Sequence, residues 1–149
     1  MSTGLDVFDT TVQQTNLWLK DIMSRIETTD RHLAYQILRA TLHMIRDRVG
    51  PEHAVHFGAQ LPMLIRGLYY EGWRIADTPT RTRILEDFLD DIESEARRDL
   101  GADRKEIIKA VFQVIASRID PGEVDKLIKV FPENLRSLWV DDDFAGSPG

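Results

Sequence analysis

Shifted by 70 residues, the sequence aligns with itself without a gap from Trp18 to Glu71. Identical pairs are Leu19/Leu89, Asp21/Asp91, Ile22/Ile92, Ser24/Ser94, Ile37/Ile107 and Ala40/Ala110. They continue with Ile45/Ile115, Arg48/Arg118, Pro51/Pro121, Pro62/Pro132, Arg66/Arg136 and Leu68/Leu138. Twelve identities in 54 positions is about fourfold above what average residue usage gives. Most other apolar positions match in type, as in Trp18/Phe88, Leu42/Phe112 and Tyr69/Trp139. A repeat of this kind means that the second half rebuilds what the first half builds. Two copies are too few for a solenoid, so each half is expected to pack against the other and complete one core.

The unit that repeats is helical. Phe8, Val12, Leu19, Ile22 and Ile26 recur at helical steps, as do Ile37, Thr41, Met44, Ile45 and Val49. Ile84, Phe88, Ile92 and Ala96 follow, and then Ile107, Val111, Val114, Ile115 and Ile119. No segment shows sustained two-residue alternation with turn chemistry. Asp30 and Asp103 read as N-caps, and Gly50-Pro51 and Asp120-Pro121-Gly122 break the chain. Pro62 and Pro132 fall inside otherwise helical stretches, where proline starts a helix far more readily than it sits within one. The expected fold is an all-α bundle of two pseudo-repeated halves, each with two longer helices and a proline-broken helix pair. It forms a single domain over residues 1–149. The halves span about 8–73 and 80–140, the join lies near 74–80, and 141–149 is a flexible acidic tail.

At 42% hydrophobic and 30% charged, the 149 residues can bury one real core. There is no cysteine, which removes disulfides, thiol catalysis and cysteine-ligated metals. No apolar run approaches the ~18 residues of a membrane span, and MSTGLDVFDTT lacks the pattern of a signal peptide. The expected location is the cytoplasm. The net charge is −6. The excess sits after Trp73, with 17 acidic against 12 basic residues there and 8 against 7 before it. A phosphate-backbone surface needs the opposite sign, so nucleic acid and anionic membrane are poor partners.

Residues kept in both halves are most simply explained by the shared fold. Arg66 and Arg136 share the frame P-x-x-[IL]-R-x-L-[YW], and Arg48 and Arg118 close equivalent helices. With Asp21 and Asp91 these six residues are candidates for structural ion pairs or caps. The halves differ most in RGLYYEGW, Arg66 to Trp73. Gly72 is placed for a left-handed helix end, with Trp73 folding back onto Leu68. Tyr70 lies in line with Met63 and Gly67, opposite the core face of Leu61, Ile65 and Leu68. The second half has Glu133, Ser137 and Val140 in those places. The first-half helix is thus apolar on two sides. Either it is the central helix of the bundle, or it carries a partner surface made of Met63, Gly67 and Tyr70 with Arg66 and Trp73 at the rim.

Chemistry finds less support. Glu52, His53 and His56 make the best metal candidate, with two histidines three apart but no third ligand marked and no counterpart in the second half. Asp87, Asp91 and Glu95 form a carboxylate ladder, with Glu86 and Asp90 beside it, and a solvated helix face is the ordinary reading. No G-x-S-x-G, H-E-x-x-H or phosphate-cradling glycine loop occurs. Glu52 to Glu71 has rough helix-turn-helix spacing, but its second helix offers Arg66 as its one basic residue.

FDTTVQQTNLWLKDI, RHLAYQILRATLHMIRDRV, QLPMLIRGLYYEGW and FPENLRSLW together resemble the bacterial DUF2267 family, over about Phe8 to Trp139. The resemblance implies an all-α protein with no established activity and no catalytic residues to carry over. The expected function is a non-catalytic binding or adaptor module that self-associates, without a cofactor. The alternative is a small-ligand or metal site between the halves, with possible hydrolytic chemistry at Glu52, His53, His56 or the carboxylate ladder.

Overall fold

A computed structural model of the protein describes residues 2–140. The tail at 141–149 lies outside the described residues. Seven α-helices account for most of the chain: α1 (Asp6–Arg25), α2 (Arg31–Arg48), α3 (Pro51–Gly58), α4 (Met63–Tyr70), α5 (Leu85–Ala96), α6 (Arg104–Arg118) and α7 (Pro121–Val130). Short 3₁₀ turns lie at Ile75–Asp77, Gly101–Asp103 and Glu133–Leu138, and there is no strand among the described residues.

Local chemistry sets most boundaries. Asp30 accepts from the backbone N–H of Leu33 at 2.9 Å and caps α2. Gly50 takes φ +82° between α2 and α3, which leaves Pro51 at the first position of α3, where its missing N–H costs nothing. Asp120 caps α7 through the Gly122 N–H at 3.0 Å, again with proline at the first position. Pro62 and Pro132 stand immediately before the next element, as expected. Asp103 is different: its side chain makes no capping hydrogen bond, because a 3₁₀ turn already leads into α6. The segment after Pro132 winds as 3₁₀ rather than α.

The core is one continuous cluster. Ile22, Ile37, Leu38, Leu42, Ile45, Phe57, Ile65 and Tyr69 meet Phe88, Ile92, Ile108, Phe112, Ile115, Leu127 and Phe131 within it. α2 packs against α1, α3, α4, α5 and α6, and α6 packs against α1, α2, α5 and α7. These two helices are the centre of the bundle. α4 is therefore not the central helix, and the reading that buried it on both sides is corrected. The apolar stripe of α1 is covered at Leu19 and Ile22, but Phe8 (46% exposed) and Val12 (38%) run past the bundle. Ile84 is likewise exposed, since it precedes α5 rather than lying within it.

Two ion pairs are built from the residues that match at the 70-residue shift, Arg48/Arg118 and Asp21/Asp91, and they run in opposite senses. Arg48 Nη2 lies 3.0 Å from Asp91 Oδ2 across the α2–α5 contact. Arg118 Nη2 lies 3.5 Å from Asp21 Oδ2 across the α1–α6 contact. Their environments differ. The Arg48 side chain is 2% exposed, and its guanidinium stacks 4.9 Å from the centre of the Phe88 ring. Burial holds the Arg48 pKa below its ordinary value, with Asp91 opposing that shift. Arg118 is one-third exposed, and Asp21 also accepts from Arg25 Nε at 3.4 Å. Asp91→Asn strands a buried cation and is expected to lower unfolding free energy by roughly 2–3 kcal/mol, less than a fully buried pair because Asp91 is half open. Asp21→Asn is expected to cost under about 1 kcal/mol. Denaturant melts check both, and equal losses would refute the difference in environment.

Candidate functional site

RGLYYEGW is held by a stripe of basic side chains on α2. Arg39, His43 and Arg46 follow one another at steps of four and three residues, on one face. His43 Nε2 is 2.7 Å from the Leu68 carbonyl oxygen and Nδ1 is 2.7 Å from Glu95 Oε1. Arg46 Nη1 donates to the carbonyls of Tyr69 (2.7 Å) and Glu71 (2.9 Å). Arg39 Nη2 donates to Glu71 Oε1 at 2.7 Å and holds that carboxyl below the usual carboxylate range. Three basic side chains thus engage the C-terminal end of α4, where the helix leaves carbonyls without backbone partners and carries partial negative charge.

That clasp changes how α4 ends. Glu71 and Gly72 form a type II turn, with Gly72 at φ +72° and the Trp73 N–H donating to the Tyr70 carbonyl at 3.2 Å. The left-handed glycine is as expected. The Schellman pattern is not formed, because Arg46 and His43 already take the carbonyls it would use. Trp73 packs on Tyr70, with ring centres 5.6 Å apart, instead of closing a Schellman ending on Leu68.

The proposed contact residues separate into two groups. Met63 is 48% exposed, and Gly67 is exposed with no atom within 4 Å of where a Cβ would stand. Tyr70 leaves α4 on the same side, but it is half-buried and its ring lies along α3. A Cβ on Gly58 would collide with the Tyr70 hydroxyl oxygen and stand 3.0 Å from Tyr69 Cε2. Trp73 is half-buried beside it. The guanidinium of Arg66 turns back to the carbonyls of Gly58 (3.1 Å) and Leu61 (2.9 Å). Arg136 does the same at Phe131 and Lys129, both at 3.0 Å. These two arginines latch the carbonyls at the end of the helix before them, the capping role of the two roles expected of them, and neither joins an ion pair among the described residues.

Two neighbours of Met63 had no mark in the sequence. Leu64 is 41% exposed and Val7 of α1 is 53% exposed. Val7 and Met63 line one shallow groove with Thr10, Thr11 and Gln14. Thr11 is fixed there because its Oγ1 accepts from the Leu64 N–H at 2.8 Å, capping α4 from another helix. Both residues fall on helical periods that read as core, so only the packing distinguishes them.

Glu52, His53 and His56 lie on α3 with Glu52 and His56 exposed, and no group of three metal-ligand side chains occurs among the described residues. The carboxylate ladder of α5 is engaged rather than simply solvated. Arg104 bonds Glu86 (2.7 Å), Asp90 (2.6 Å) and Glu93 (2.6 Å), while Asp91 and Glu95 meet Arg48 and His43. Beside Glu95, a polar cleft of about 490 Å³ opens between α2 and α5, lined among others by Tyr35, Gln36, Arg39, Glu71 and Arg97. Among the described residues, no helix is long and apolar enough to cross a membrane.

No curated protein matches the chain. Residues 15–138 match the family described as "Uncharacterized conserved protein (DUF2267)". The match takes in every helix above except the first turns of α1, and the protein belongs to the DUF2267 family.

Proposed function

We propose that the protein is a non-catalytic binding module that associates with a second copy of itself through the outward face of α4. The observation that carries this reading is Gly67. It lies inside an exposed helix, adopts no left-handed angle and has open space above it. In the isolated chain, alanine there is better by roughly 0.5–1 kcal/mol. Close approach of another backbone supplies a reason for glycine. Met63, Leu64 and Val7 provide apolar surface around it, and methionine is favoured at such contacts. A two-fold contact would set the same patch against itself and close the assembly as a dimer.

The proposal includes a two-fold arrangement within the chain. Its support is the pair of reciprocal ion pairs and the packing of α2 on α5 and α1 on α6. A cytoplasmic location is part of the proposal: the sequence holds no cysteine, and among the described residues no helix is long and apolar enough to cross a membrane. A second reading places a small polar ligand in the cleft beside Glu95, lined by the exposed Arg97 next to the Arg39–Glu71 and Arg39–Glu95 pairs. Metal analysis and a thermal-shift screen with amino acids test it, and a flat screen on metal-free protein would dismiss it.

Light scattering at tens of micromolar is expected to give a dimer for the wild type and a folded monomer for Met63→Glu. Gly67→Ala is expected to weaken the dimer while raising the melting temperature of the dilute monomer. A wild type that is monomeric throughout would overturn the self-association. Gly58 serves as the contrast: Gly58→Ala is expected to lose about 1–3 kcal/mol by overpacking against Tyr70, without any change of mass. Adding Tyr70→Phe to Gly58→Ala is expected to restore part of that loss.

A further inference from the structure

The connector between the halves crosses the end of α2. The Thr80 N–H donates to the Asp47 carbonyl at 2.6 Å and pins the connector over the last turn of that helix. The crossing leaves a cleft of about 580 Å³, lined by Arg48, Thr80, Arg81, Arg83, Glu133 and Asn134, with Pro79, Val130 and Pro132 as apolar walls. Three of these residues are arginines, in a chain of net charge −6. Arg81 and Arg83 are exposed, and neither joins an ion pair among the described residues.

Arg48 lines the same cleft and is more than nine-tenths buried. One face of its guanidinium is used by Phe88, Nη2 by Asp91 and Nη1 by the Met44 carbonyl at 3.3 Å, while its Nε has no hydrogen-bond partner. An orphaned donor on a buried cation is costly, and an anion in the cleft offsets that cation's charge through space without reaching the Nε itself. We infer that this cleft binds a dianion, the phosphoryl group of a small molecule, held between Arg81 and Arg83 over Arg48.

Guanidinium groups suit this task because each presents paired N–H donors to a tetrahedral anion. The Asn134 amide and the Thr80 hydroxyl add neutral donors around the same space. Asp91 neutralises part of the Arg48 charge, and Glu133 sets a carboxylate on the cleft wall. Glu133 therefore limits affinity and disfavours weakly held anions. The cleft is much larger than one phosphate ion, which has a volume near that of a few waters at ~30 Å³ each. The apolar walls suit the rest of a phosphate monoester. The cleft involves neither Met63 nor Gly67, so it stands independently of the dimer.

Titration calorimetry and thermal shift with inorganic phosphate and with phenyl phosphate, each against sodium chloride at equal ionic strength, test the assignment. Saturable binding of phenyl phosphate is expected, tighter than that of inorganic phosphate. Arg81→Ala/Arg83→Ala, both in the exposed connector, is expected to weaken it by about tenfold or more. Glu133→Gln is expected to tighten it by about threefold at low salt. Equal affinity for both probes, lost in the double variant, would identify the free anion as the ligand and keep the site. Absence of saturable binding by either probe, or binding unchanged in the double variant, would overturn the inference.

Discussion

The fold depends on burying three basic side chains of α2 against acceptors from other helices. α2 lies at the middle of the bundle, yet His43, Arg46 and Arg48 are all buried on it. Each meets a group that needs a donor or a negative charge. His43 and Arg46 take the last carbonyls of α4, and Arg48 takes Asp91 of α5. The partners are supplied by two different helices, so these three side chains are all engaged only when α4 and α5 are both in place. Such satisfied networks specify one arrangement more sharply than apolar contact does, since a shift of one turn strands several groups at once.

Much of this architecture was legible beforehand. Proline and glycine punctuation marks the breaks at Pro51, Pro62, Pro121 and Pro132 because those residues act through their own backbone angles. The 3.6-residue period finds the helices, since burial on one face is a local property of sequence. What lay beyond reach was which helix sits in the centre. Periodicity made α4, apolar on two sides, either the central helix or a surface for a partner, and α4 is peripheral. α2 escaped notice because its central faces carry arginine and histidine, which read as solvent-facing until their partners are known. Asp103 shows a similar limit: it has the right chemistry for a cap but is pre-empted by the 3₁₀ turn before it.

The site residues follow the same division. Met63 and Gly67 are exposed where the helical wheel puts them. Tyr70 shares their side of the helix, but a long side chain is free to lie down, and the absent Cβ of Gly58 gives its hydroxyl a place to go. Arg66 and Arg136 recur in register because both close the end of a preceding short helix, a task defined by carbonyl positions that no pattern of residue types reveals. The arginines of the connector stood in no motif, and it is the path of the chain past α2 that sets them beside Arg48.

The cap on α4 has a consequence for what counts as the folding unit. Its N-terminal N–H at Leu64 is satisfied by Thr11, which lies upstream of the residues shared with the family. The first turns of α1 are therefore not an appendage, although most of their apolar side chains face water. A chain trimmed to residues 15–138 keeps α2 to α7 but shortens α1, loses the buried Trp139 and leaves α4 with one more open donor at its start. The packed unit thus extends past the residues that the family match covers, tied at one end by a hydroxyl group and at the other by the Trp139 ring against Phe112 and Phe131.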